Sequence, residues 1–401
     1  MTTPTTPPAG EPSGRSILPA ALAGLSATLI GNGIARFAYT PLIPALIAAG
    51  WFAPAEAVYL AAANLAGYLL GALGARRAAM AVGGTRAMQW AMLATVASLA
   101  ACAWPLGFGW YLFWRLLAGV TGGVLMVLAA PTVLAGVPPA LRGRTTGIVF
   151  TGVGTGIAAA GTIVPMLARQ GLTVVWLALA LVAALLTLYA WRALPRDVPP
   201  PAGQAPAGAR VGLPLALLLA SYGLDAAGFV PHTVFWVDYI ARGLGQGLEV
   251  GGGYWILFGF GAAVGPFLMG LLAERIGFGR SYILAMAVKG GGVALPLVST
   301  SAVALSASSL IVGALISGTT TLCSGWVLER VGVAHHRQVW GWMTSAFAVT
   351  QAGGAYGCSL LFAATHSYTL LFVLGTAALA AGALLAALSS PGRYAASDDP
   401  A

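Results

Sequence analysis

The chain has 401 residues, of which 59% are hydrophobic and 7% charged, with a mean hydropathy of +0.87. A soluble domain carries about 25% charged residues, so this chain has too few charges to cover a water-facing surface; lipid removes that requirement, because apolar side chains can then face outward as well as inward. The net charge of +9 does not point to nucleic acid, since the arginines sit in short clusters between apolar runs rather than along one face.

Residues 1–16 form a polar, Pro/Thr/Ser-rich tail with Arg15 just before the first apolar run. That run is too long for the apolar core of a signal peptide and reads as a retained first helix. A span needs about 20 apolar residues. In chain order the candidates are 17–48, 55–75, 87–106, 109–135, 146–168 and 172–193, then 211–240, 253–273, 281–299, 303–327, 339–364 and 367–389. The expected fold class is therefore an all-α integral membrane protein with twelve transmembrane helices. Residues 17–194 form one six-helix bundle and 211–389 a second, with a short tail at 390–401. Between the bundles, residues 195–210 have the Pro/Ala/Gly composition of a linker.

The loops set the orientation. Fourteen arginines fall in alternate loops and the two tails, and only Arg169 and Arg242 fall in the opposite loops. The positive-inside rule then puts both termini in the cytoplasm of a bacterial-type inner membrane. Cys102, Cys323 and Cys358 all lie in apolar runs, with no CxxC pair and no metal-ligand spacing. No phosphate-binding Gly-Lys loop, HExxH or nucleophile elbow is present. An enzyme, a nucleotide-driven pump, a metal and a cofactor are not expected.

The two halves repeat. Gly33-Ile34-Ala35-Arg36-Phe37-Ala38-Tyr39-Thr40-Pro41 in the first span matches Gly223-Leu224-Asp225-Ala226-Ala227-Gly228-Phe229-Val230-Pro231 in the seventh. Gly71 to Arg76 echoes Gly270 to Arg275, and Phe150 to Gly156 echoes Phe347 to Gly353. Parallel repeats put a substrate site at their interface near the midplane. Gly67, Gly71 and Gly74, and less regularly Gly152, Gly156 and Gly161, have the small-residue spacing that lets helix backbones approach closely in lipid.

The loop Gly270-Leu271-Leu272-Ala273-Glu274-Arg275-Ile276-Gly277-Phe278-Gly279-Arg280 resembles the cytoplasmic signature of the major facilitator superfamily. Arg115-Leu116-Leu117-Ala118-Gly119 resembles its fourth-span motif. The opening GNGIARFAYTPLIPALIAAG, followed by YLAAANLAGYLLGALGA, is similar to the poorly characterised YbfB/YjiJ-like branch. The resemblance implies two pseudo-symmetric bundles, a monomer and rocker-switch alternating access. It also implies a conformational latch at Gly270, Glu274, Arg275, Gly277 and Arg280, and a link between Arg115 and proton coupling. The first copy of the latch loop lacks the acid, so an asymmetric latch is expected.

Four charges lie inside spans: Arg36, Arg115, Asp225 and Lys289. A charge at the bilayer centre costs at least about 2.5 kcal/mol, so each needs a cavity or a partner. By the resemblance, the first and seventh helices line the central cavity, and Arg36 and Asp225 are expected to face one another across it. They act there either as a proton-carrying carboxylate with its fixed cation or as a static bridge. The alternative role for Arg36 is to hold an anionic group of the substrate. Lys289 reads as peripheral, snorkelling or touching a carbonyl. Tyr39, Tyr222, Phe229, His232, Trp236 and Gln351 complete the expected cavity. The expected function is a secondary active transporter of a small organic solute. It works with the lipid bilayer and protons as its other partners, with efflux favoured by the apolar, aromatic lining. A passive facilitator of the same fold and a non-transporting sensor or scaffold are the alternatives.

Overall fold

The computed structural model describes residues 17–135, 137, 142–195 and 212–389. The two expected tails and the expected linker, apart from Pro195, lie outside them. The elements among the described residues are helices: α1 (Leu18–Thr28), α2 (Tyr39–Ala48), α3 (Pro54–Val82), α4 (Gly84–Ala101), α5 (Phe108–Leu134), α6 (Arg142–Ala168), α7 (Leu172–Ala193), α8 (Leu213–Gly228), α9 (Trp236–Asp238), α10 (Leu248–Ile276), α11 (Phe278–Val298), α12 (Ala302–Thr365) and α13 (Tyr368–Leu388). Helices satisfy their own backbone hydrogen bonds, which is what hydrocarbon requires of a spanning chain. Large apolar side chains such as Leu181, Leu185, Phe260 and Phe267 point outward and are exposed, as a lipid-facing surface needs.

Ten helical stretches are long and apolar enough to cross a membrane. Two stretches read as spans in the sequence, α4 and the part of α12 beyond Gly332, are not among the ten. The first ends early, because Cys102 to Gly107 turn away, and opens on Gly84-Thr85-Arg86. The second is diluted by Gln351, Tyr356 and its run of glycines, serines and threonines. Residues 302–365 form one helical run broken at Gly332, whose φ of 67° only glycine adopts without strain. Tyr222 touches Thr320 on one side of that break and Trp340 and Phe347 on the other. Thr320 lies roughly 18 Å along the helix before Gly332 and Phe347 roughly 22 Å after it at 1.5 Å per residue, so α12 folds back on itself there.

Two passes are irregular where the sequence repeats. The first runs through a π-helical turn at Leu29–Ile34 and loses helical bonding just before Tyr39. The seventh breaks after Gly228, ahead of Pro231, and continues through π-helical turns at Pro231–Phe235 and Tyr239–Gly243. A proline removes one backbone bond and crowds the preceding turn, and π turns are concentrated at functional sites.

Glycine seams join the helices at one recurring offset in sequence. Gly67 and Gly71 of α3 abut the backbone of α5 at Leu116 and Val120; Gly261 and Gly265 of α10 abut α12 at Leu310 and Ala314. Gly119 answers at Asn64, and Gly313 answers at Phe258. The same offset relates Gly83, the single residue between α3 and α4, to Gly277, the single residue between α10 and α11. The two halves thus repeat in these seams, at an offset that none of the three sequence echoes has; the latch echo in particular is out of register, since Gly277-Phe278-Gly279-Arg280 corresponds to Gly83-Gly84-Thr85-Arg86 and not to the stretch ending at Arg76. Gly74, expected in the seam, meets open space.

One hydrophobic cluster draws mainly on residues 23–194 and a second mainly on residues 215–386. They meet where α6 packs on α10 and α3 on α12. Gly154 lies against Gly259 and Ala263, and Gly161 against Gly252 and Ile256, so α6 and α10 run antiparallel with backbones in contact. That contact continues to an Arg169–Glu249 ion pair at the end bearing the 169–171 and 244–247 turns. Toward the other end, where Leu18 and Leu388 lie, a Cβ at Gly147 or Gly270 would meet nothing. The α6–α10 contact is closed at the first end and parts toward the second.

Candidate functional site

The four in-span charges separate into two groups. Asp225, on α8, is fully buried and its Oδ1 lies 2.7 Å from Lys289 Nζ on α11, also fully buried. Nζ donates to Thr319 Oγ1 at 3.3 Å and sits 4.1 Å from the centre of the Phe229 ring. Thr319 Oγ1 lies 2.8 Å from Asp225 Oδ2. The carboxylate thus has a cation on one oxygen and a hydroxyl on the other. The charges satisfy each other, which an ion pair taken out of solvent requires.

This overturns two expectations. Asp225 does not face Arg36; its partner is Lys289. Lys289 neither snorkels nor lies at the periphery. α11 brings it inward, packed against α13 at Gly290 and against α12 at Gly292, which lies close to Ile311.

Arg36 follows the first π-helical turn. Its Nη2 donates to Gln351 Oε1 at 2.7 Å, a bond from the first pass to the second limb of α12. The guanidinium lies over Phe37 and Tyr68, 4.8 and 5.0 Å from their ring centres. Arg115, on α5, is buried, sits 4.2 Å over Tyr39 and donates from Nη1 to the Ala35 carbonyl at 2.8 Å. Asn64 donates to the Arg115 carbonyl, and Tyr39 Oη to the Ala57 carbonyl. Arg36, Arg115, Tyr39, Thr40 and Asn64 line one small cavity, closed on its far side by Thr233 and Val234. It has room for about one water-sized particle.

The remaining predicted residues are distributed around these groups. Tyr222 Oη donates to Thr320 Oγ1 at 3.2 Å and its ring packs on Phe347, which also meets Phe229. His232 lies outside the cavity: Nε2 is 2.7 Å from Ser308 Oγ, which donates to the Gly292 carbonyl. Its ring stacks on Trp236 at 4.3 Å, and Trp236 Nε1 donates to Ser309 Oγ. These two aromatic groups tie α8's continuation to α12 in the interior and do not border the cavity. Asp238 pairs with Arg242 at 3.0 Å and accepts from Tyr368 Oη at 2.5 Å. Glu274, Arg275 and Arg280 are exposed at the open end, around the Gly277 turn, and make no ion pair with one another among the described residues. Gly270 there has free space.

Sequence reasoning missed Lys289 as the ion-pair partner, and with it Thr319 and Ser308. The signal was available for the first: Lys289 is the chain's single lysine and lies in the same half as the one mid-span acid.

A family model described as uncharacterised MFS-type transporter YbfB matches residues 28–387. No curated protein matches the sequence. Among solved structures, the crystal structure of a D-xylose-proton symporter superposes with a TM-score of 0.74 at 15% identity, covering 94% of this chain and 98% of that one. At that identity the likeness is one of fold.

Proposed function

The chain belongs to the major facilitator superfamily, in the family of uncharacterised MFS-type transporters named for YbfB, and from that premise we propose that it is a proton-coupled secondary transporter of a small organic solute. Twelve passes in two six-helix halves, with both termini cytoplasmic, fit the arginine distribution and the fold-back at Gly332. On that orientation the sealed end faces outward and the solute path opens to the cytoplasm. The Glu274–Arg275–Arg280 loop then stands at the parted ends, where a latch would close in the alternate state.

The observation that carries the reading is the Asp225–Lys289 pair. An ionisable pair wholly inside a membrane bundle is expensive to keep and marks a proton or substrate pathway. A proton delivered to Asp225 would cancel its charge, release Lys289 and change the net charge of the interior by one. That change biases how α8 and α11 pack, which is the differential interaction a coupled conformational change needs.

The test is charge movement in proteoliposomes under an imposed pH gradient, with metabolites and drugs added rapidly. Wild type should give currents that need the gradient, their sign reporting the direction of transport. Asp225→Asn should abolish the gradient dependence, and Asp225→Asn/Lys289→Met, which removes the unpaired cation, should not recover it. Solute flux in all three proteins without pH dependence would instead identify a passive facilitator.

A further inference from the structure

The cavity around Arg36 and Arg115 carries two guanidinium groups and no acid. Among the described residues, neither arginine makes an ion pair. Arg115 is 1% exposed, and its Nε and Nη2 have no hydrogen-bond partner. Gln351, 1% exposed, spends its oxygen on Arg36 and leaves Nε2 unpaired. Every unsatisfied group in this set is a donor. Buried polar atoms are nearly always paired, and a cluster of orphans of one kind describes a missing ligand of the opposite kind. The contrast with the other half is direct: there the buried cation, Lys289, has its carboxylate.

We propose that Arg36 and Arg115, with Gln351, form an anion subsite that takes the carboxylate of a small organic acid. Guanidinium forks match the planar, two-oxygen geometry of a carboxylate, whereas ammonium groups act as point charges. The cavity as it stands has room for about one water-sized particle, so the acid enters only as the Arg36–Gln351 bond opens; Phe37, Leu65, Ala61 and Val234 then border its hydrocarbon body rather than a second charge. Arg36 is only partly buried, while Arg115 is fully buried. An arriving carboxylate would meet Arg36 first and compete with Gln351 for it. Binding would therefore loosen the Arg36–Gln351 bond between the two sets of helices. The inference rests on the transporter reading only in treating the bound acid as cargo.

The purified full chain in detergent, at constant ionic strength in chloride, would be titrated with acetate and benzoate. Their neutral isosteres acetamide and benzamide, and inorganic phosphate, would be run beside them, following thermal unfolding by tryptophan fluorescence and competition against radiolabelled benzoate. The expected result is stabilisation by the carboxylates and not by the amides, with a loss of affinity of tenfold or more in Arg36→Gln and in Arg115→Lys. The lysine variant keeps the charge and removes the fork, so the comparison survives if Arg115→Gln fails to fold. Stabilisation by the amides equal to that by the acids would overturn the inference. So would no response of wild type to any anion, or a response to phosphate alone. Carboxylate binding without uptake of radiolabelled benzoate into proteoliposomes under a pH gradient would leave the subsite standing and sink the transporter reading. Gradient-driven currents with neutral solutes and no anion binding would do the reverse.

Discussion

Neutralising one member of the Asp225–Lys289 pair should be far worse than neutralising both. The two side chains are fully buried and their charged atoms are 2.7 Å apart. At an effective dielectric of about 20, charges at that distance attract by about 6 kcal/mol, most of it spent on taking them out of water. Lys289→Met leaves a buried carboxylate whose remaining partner is Thr319, and Asp225→Asn leaves a buried ammonium over Phe229. Each single change should cost about 3–5 kcal/mol, as removal of one partner of a buried pair does. The double variant Asp225→Asn/Lys289→Met exchanges the pair for neutral groups of similar volume and should regain most of that loss, giving a coupling energy of at least about 2 kcal/mol. The assay is a double-mutant cycle on equilibrium unfolding in mixed micelles, with thermal midpoints as a cross-check. If the double variant is as unstable as the two single changes summed, the pair is not a mutual compensation of charge and the argument fails.

Other expectations follow from geometry. Gly71→Leu should push α3 off the backbone of α5 at Val120 and cost at least about 1–3 kcal/mol; Gly74→Leu, facing open space, should be neutral, and expression with thermal stability of both reports the difference. Gly332→Ala forces a β-carbon into a left-handed turn and should lower stability by about 1–2 kcal/mol, measured in the same way. In a background without Cys102, Cys323 and Cys358, cysteine at Gly147 or Gly270 should react with an aqueous maleimide, and cysteine at Gly161 or Gly252, where the seam is closed, should not; labelling of the second pair as fast as the first would show that the sealed end is open.

The sequence legibly carried whatever depends on one residue type in one solvent. Lipid exposure follows from composition alone, and the recurrent glycines exposed a repeat before any helix was placed. Register was harder, because Gly, Ala and Leu recur so often that two alignments of the halves look alike. Only contact of backbones, Gly67 at Leu116 and Gly261 at Leu310, decides between them. Pairing was harder still. Arg36 and Asp225 occupy matching stretches of matching helices, and symmetry suggested that they meet. The cheaper solution is local: Asp225 finds a cation within its own set of helices, and Arg36 reaches an amide across the divide. A charge count within each half, rather than between halves, would have pointed to Lys289 and to the surplus at Arg36 and Arg115.

The two single-glycine reversals, at Gly83 and Gly277, have a mechanical meaning. A hairpin with one residue at its bend has no slack, so neither limb can slide or tilt unless the other goes with it. In the transport cycle proposed above, closing the parted end would therefore demand the swing of entire hairpins, like the leaves of a door on a stiff hinge, rather than the folding-over of a flap. A drug or antibody fragment wedged between these bends would block the stroke without ever touching the bound solute.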